Sequence, residues 1–123
     1  MEHFDFKYFK YPNKIQAKII KERKKMANSR DILVKLKASE LGYDYYDGKR
    51  IYGYGGFKYD GRWKKFLPYI IKKYKLNKNS KVLDVGCKKG FFIKDLKDLV
   101  PGIKVFGVED HRYPINKSLT SVR

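Results

Sequence analysis

The sequence predicts an α/β fold in which a single βαβ unit follows an α-helical N-terminal extension. Three observations carry this. Two short runs rich in β-branched residues, Lys81 to Val85 and Ile103 to Val108, read as buried parallel strands. A glycine turn, Gly86 to Gly90, leaves the first run and opens an amphipathic segment from Phe91 to Val100. Upstream, the first 42 residues carry helical spacing and no strand pattern.

Pro12 to Met26 is rich in helix formers, with Ile15, Ile19 and Ile20 at helical spacing and a basic end that suits the helix dipole. A break is expected at Asn28-Ser29. Ser29 or Asp31 then caps a second helix that places Ile32, Leu33 and Leu36 on one face and stops at Gly42. The two helices read as an amphipathic extension, with a basic arm for RNA or an acidic membrane as the rival reading. Tyr43 to Gly61 holds five glycines and seven tyrosines or phenylalanines, which predicts an ordered loop. A helix follows from Arg62 to Leu76, with Trp63, Phe66, Leu67, Ile70, Ile71 and Tyr74 inward and Pro68 kinking or dividing it. Asn77 to Ser80 is a polar turn. The helix after the glycine turn places Phe92, Ile93, Leu96 and Leu99 inward and ends at Pro101-Gly102; Tyr113 to Ser118 begins another. The organisation is thus a basic helical extension (1–42), a Gly/Tyr-rich loop (43–61) and the βαβ part (62–123).

Composition narrows the function classes. With 42% hydrophobic and 35% charged residues, the chain suits a water-exposed folded domain. No apolar run reaches the roughly 18–20 residues that span a bilayer, and the N-terminus lacks the order of a secretory signal, so a cytoplasmic location is expected. The lone Cys87 excludes an internal disulfide. His3 and His111 lie far apart without cysteine partners, so no metal site is expected. The net charge is +17, but 24 of the 30 basic residues are lysine and only six are arginine. A solvated lysine-rich surface explains this, with nucleic-acid binding as the competing reading.

The chemistry gathers at the turn. Gly86 lets the chain leave the strand where a side chain would meet a ligand, and Gly90 lets the next helix start close by. Exposed N–H groups at that helix start favour an anionic ligand group. Glu109, ending the second strand, can accept both hydroxyls of a ribose.

The string VLDVGCKKG, with GVED downstream, resembles the first two motifs of class I S-adenosylmethionine-dependent methyltransferases. The segment GYGGFKYDGRW looks like the YGGYKYDGRW stretch that precedes the cofactor motif in one group of bacterial members, and the resemblance spans about residues 43–118. It implies a Rossmann-like methyltransferase fold of which only the first βαβ portion is present, with S-adenosylmethionine as cofactor. Its cofactor positions fall on Asp84, Gly86, Cys87, Lys88, Gly90, Glu109 and Asp110; the middle glycine of the family is Lys88 here. A dinucleotide dehydrogenase would need Gly-x-Gly-x-x-Gly, which this turn lacks. Tyr54, Gly55, Gly56, Tyr59 and Arg62 are candidates for a lid or for substrate contact, with Arg62 offering a fixed cation, although loop aromatics can equally pad the sheet edge. Asp60 is a candidate helix cap, and Cys87 a candidate for a lowered thiol pKa or for packing alone. No catalytic base is named. The expected function is the cofactor-binding part of a methyltransferase acting on a small molecule or cell-envelope precursor. The alternatives are a nucleic-acid methyltransferase and a non-catalytic remnant. Two strands leave open edges, so the expectation is either a truncated methyltransferase or a further chain that completes the sheet.

Overall fold

The computed structural model describes residues 13–122. Pro12, where the first helix is expected to begin, and the N-terminal stretch with His3 lie outside the described residues, as do the side chains of Ile15 and Ile19. The chain is mixed α/β, with several helices around a two-stranded parallel sheet.

Helix α1 spans Asn13–Ser29 and α2 spans Ile32–Ser39. The break falls at Arg30-Asp31, not at Asn28-Ser29, because Asp31 takes the cap: its Oδ1 accepts the Val34 N–H at 2.8 Å. Gly42 is not the stop of α2. Leu41 adopts the left-handed turn (φ +49°), and Gly42 instead precedes a one-turn helix, α3 (Tyr43–Tyr46), inside the segment expected to be wholly loop. Beyond α3 the segment runs through turns and bends, pinned by Tyr54 N–H to Tyr45 O at 2.8 Å and Phe57 N–H to Tyr46 O at 2.8 Å. Tyr46 is buried at its centre, stacked with Tyr54 and Tyr113.

Pro68 divides the following helix in two. A 3₁₀ turn covers Arg62–Lys65, and α4 (Leu67–Lys73) starts afresh with Pro68 in its first turn, where a missing N–H costs nothing. Tyr74 lies beyond α4 and is exposed, so it does not join the inward face. Strand β1 (Lys81–Val85) pairs in parallel with β2 (Lys104–Val108), in a register that sets Leu83 beside Phe106 and Val85 beside Val108. Between them runs α5 (Phe91–Leu99); Gly102 at φ +87° turns the chain back toward β2. Helix α6 (Arg112–Asn116) and a 3₁₀ turn at Thr120–Val122 follow.

The core lies on one face of the sheet. Leu67, Leu96 and Ile103 are buried there, with Trp63, Ile70, Val82, Phe92 and Val105 around them. Phe91 and Ile93 are buried as well, whereas Leu99 is exposed at the end of α5. The strands are not buried on both sides as expected: Leu83, Val85, Phe106 and Val108 share the opposite face and all are exposed, Val85 to 77%. No described helix is long and apolar enough to cross a membrane.

This one-sided core makes a direct contrast. Leu96→Ala is expected to lower stability in urea unfolding by about 2–5 kcal/mol, and Leu83→Ala by less than about 1 kcal/mol.

Candidate functional site

The turn after β1 has three left-handed positions: Gly86 (φ +77°), Lys88 (φ +51°) and Gly90 (φ +76°). A Cβ added at Gly86 would meet nothing within 4 Å, so open space lies over the strand end. At Gly90 it would meet Val122 Cγ2 at 2.5 Å; the close approach that glycine permits there is to the C-terminal 3₁₀ turn. Lys88 takes the glycine-like conformation at a cost of roughly 1–2 kcal/mol. Two bonds oppose that cost: the Lys88 N–H donates to Glu109 Oε2 at 2.9 Å, and Lys88 Nζ donates to Tyr54 Oη at 3.0 Å. The Tyr54 phenol holds the Lys88 ammonium above its usual pKa, so it stays charged.

Most N–H groups of the turn serve the turn itself. Those of Gly86 and Cys87 donate to Val108 O at 2.8 and 3.1 Å, and that of Gly90 donates to Cys87 O at 2.8 Å. The donors expected at the helix start are those of the first turn of α5, which Gly90 leaves without a side-chain cap.

Three hollows meet here. The largest, of about 830 Å³, is lined by Cys87, Lys88, Gly90, Gly107, Glu109 and Ile115. A second, of about 360 Å³, lies on the loop side between Tyr54, Phe57, Asp84, Gly86 and Lys88. A third, of about 440 Å³, lies over the strand ends, with Val85, Gly86, Val108, Glu109 and Asp110. All seven residues expected to hold a cofactor thus line one or another of these adjoining hollows. Burial and the nearby Glu109 charge push the Asp84 carboxyl up.

Glu109 does not stand open as expected. Its side chain is only 4% exposed, and Oε1 already accepts the His111 N–H at 3.1 Å and lies 3.2 Å from His111 Nδ1. Oε2 accepts the Lys88 N–H and Asp110 also hydrogen-bonds this carboxyl, so ribose hydroxyls would have to compete with partners already in place. Asp110 is largely exposed and contacts His111 Nδ1 at 2.5 Å. Glu109, Asp110 and His111 together bring three ligand-type atoms within 4.8 Å, a grouping that the argument from Cys and His spacing overlooked.

The loop is tied down at points with no sequence signature. Lys89, 6% exposed, donates from Nζ to both Asp47 oxygens at 2.7 Å and to Phe57 O at 3.0 Å. Tyr113 Oη donates to Asp47 Oδ2 at 2.7 Å. Burial pushes the Asp47 carboxyl up, but the bonds from Lys89 and Tyr113 and the Lys89 charge outweigh it and hold the carboxyl below its usual pKa. Burial and Asp47 push the Tyr113 phenol up to about 12.

The candidate lid and substrate residues separate. Tyr54 lines the loop-side hollow. Tyr59 instead donates to Asp95 Oδ1 at 2.5 Å, clamping the loop to α5. Asp95 is fully buried, and an acid on the inner face of an amphipathic helix is the one legible sign of this contact. Gly55 packs on Arg50, and the Gly56 N–H donates to Tyr46 O at 3.1 Å, so both serve the loop. Arg62 reaches the edge of the hollow, but its guanidinium pairs with Asp60 at 2.8–3.0 Å, so it is not a cation held ready for substrate. Asp60 Oδ1 also accepts the Arg62 N–H at 3.1 Å, but it is not the expected cap, because Gly61 takes that position and the turn has no side-chain cap bond. Burial, with Asp84 and Glu109 nearby, pushes the Cys87 thiol up, which removes the basis for a reactive thiolate. Sequence reasoning also missed Gly107: a Cβ there would meet Cys87 Sγ at 2.6 Å and Ile93 Cδ1 at 2.7 Å.

No protein-family model, curated protein or solved structure gives a significant match to this chain.

Two outcomes follow. The Asp47 carboxylate stabilises the fold fully above its unfolded pKa of about 4, and that contribution is lost as pH falls through the lower folded pKa. Asp47→Asn is expected to flatten the acid limb of the stability curve. It should also cost toward the low end of about 3–5 kcal/mol, because Lys89 is left buried without its counter-charge. Cys87 is expected to react with iodoacetamide at mildly alkaline pH more slowly than free cysteine; faster labelling would contradict the raised thiol pKa.

Proposed function

We propose that this chain is the donor-binding part of an S-adenosylmethionine-dependent methyltransferase with a Rossmann-like arrangement, acting on a small molecule or cell-envelope precursor. The observation that carries the reading is the convergence of a left-handed turn at the end of a parallel β1 with the Glu109 carboxylate at the end of its neighbour β2. Around them lies a hollow of about 830 Å³, within the roughly 300–1,000 Å³ usual for small-molecule sites.

The residues fit the donor. Open space at Gly86 admits a ligand over the strand end, and the Glu109 carboxylate can accept a ribose hydroxyl in exchange for one of its internal partners. The first turn of α5 favours an anionic group such as a carboxylate. A bound donor supplies an already activated methyl carbon, so the chain's task is orientation. Lys88 and Tyr54, joined across the loop-side hollow, place a cation and a phenol beside the turn, where an acceptor oxygen can be held. A second reading, a binding module without catalysis, is favoured by the smallness of the two-stranded sheet, whose far face, with Leu83, Val85, Phe106 and Val108, is exposed.

Calorimetric titration with S-adenosylmethionine tests the donor assignment. The chain is expected to bind, and Gly86→Val and Glu109→Ala each to weaken binding by at least about tenfold while remaining folded. Equal affinity in all three proteins would sink the assignment. Methyl transfer to an added acceptor separates the enzyme from the binding module.

A further inference from the structure

Helix α2 is built outside in. Its large apolar residues Ile32, Leu33 and Leu36 are 67%, 70% and 57% exposed, while the smaller Val34 and Ala38 are the half-buried ones, on a helix that packs against α3. At about 100° per residue, the three outward side chains fill a sector of about 100°, with Lys35 and Lys37 flanking it on either side. Lys37 also pairs with Asp44 at 3.2 Å, while Lys35 is exposed. The preceding α1 adds exposed Lys18, Lys21, Lys24 and Lys25 and a half-exposed Ile20. Residues 13–42 hold nine basic and three acidic side chains, a net charge of +6.

We propose that α1 and α2 form a docking surface for an anionic lipid bilayer, on which α2 lies with Ile32, Leu33 and Leu36 in the acyl boundary and the lysines at the headgroups. Aliphatic residues bordered by lysine are the composition of an interfacial helix. A single-stranded nucleic acid would call for aromatic stacking and arginine, and α2 has neither. A second copy is disfavoured because each chain brings a charge of +17. The inference does not depend on donor binding.

Co-sedimentation of the whole chain with vesicles tests it. Binding is expected to phosphatidylcholine vesicles carrying about one-third phosphatidylglycerol, to weaken as salt rises, and to be slight with phosphatidylcholine alone. Leu33→Glu with Leu36→Glu should reduce binding at least about tenfold with the helical circular dichroism unchanged, since neither side chain is buried. Leu33→Trp should bind like the wild type and be quenched by brominated lipid on insertion. Absence of binding at low salt, undiminished binding by the double variant, or no quenching of the introduced tryptophan overturns the proposal. Conversion of a dimer to a monomer by the double variant, with vesicle binding intact, assigns the face to self-association and overturns it too. So does salt-sensitive RNA binding in the absence of any vesicle binding.

Discussion

A lysine ammonium cannot stay buried without a counter-charge, and Lys89 is buried at the centre of the turn that forms the candidate site. Its partner, Asp47, comes from a distant stretch of chain, so the Gly/Tyr-rich segment must fold back onto the end of β1 for the turn to exist in this form. Asp47 in turn fixes Tyr113 on α6, and Phe57 offers both its carbonyl to Lys89 and its N–H to Asp47 at 3.2 Å. Three parts of the chain thus share one ion pair. The stacked rings of Tyr46, Tyr54 and Tyr113 complete the same junction with apolar area.

The turn is shaped by a second constraint, the left-handed backbone at Lys88. A lysine at this position gives up the freedom of glycine, and its N–H bond to Glu109 and its Nζ bond to Tyr54 hold it there. The same bonds occupy part of what a ligand would use. A site organised in this way exchanges internal partners for external ones on binding, so its affinity is set by the difference between them.

Local rules made much of the fold legible. Apolar runs marked β1 and β2, three- and four-residue spacing marked α5, Pro68 marked the division before α4, and Asp31 was one of two named caps. The rest depends on tertiary partners that no short window contains. Asp47 and Lys89 are 42 residues apart and look like ordinary surface charges in sequence. Arg62 reads as a spare cation until Asp60 is seen beneath it. Strands rich in valine read as buried on both faces, because composition reports what a strand can bury and says nothing of whether a second layer is there. Glu109 stands out in the sequence by its place at the end of β2, but its occupation by His111 depends on a turn that only the folded chain forms.

The sequence distance across the junction bears on how the molecule forms and opens. The β1, α5 and β2 unit closes within residues 81–108 through neighbouring segments, whereas the contacts that seat the loop join residues 34, 42 and 66 positions apart. Short-range closure costs less chain entropy, so the strand pair and its helix form the early part of the folding path and the loop docks onto them afterwards. In reverse, the loop is a unit that can detach while the sheet persists. The walls around Lys88 are then expected to assemble after the strand pair and to exchange their amide hydrogens before it, so that access to the hollow beneath them follows that local opening.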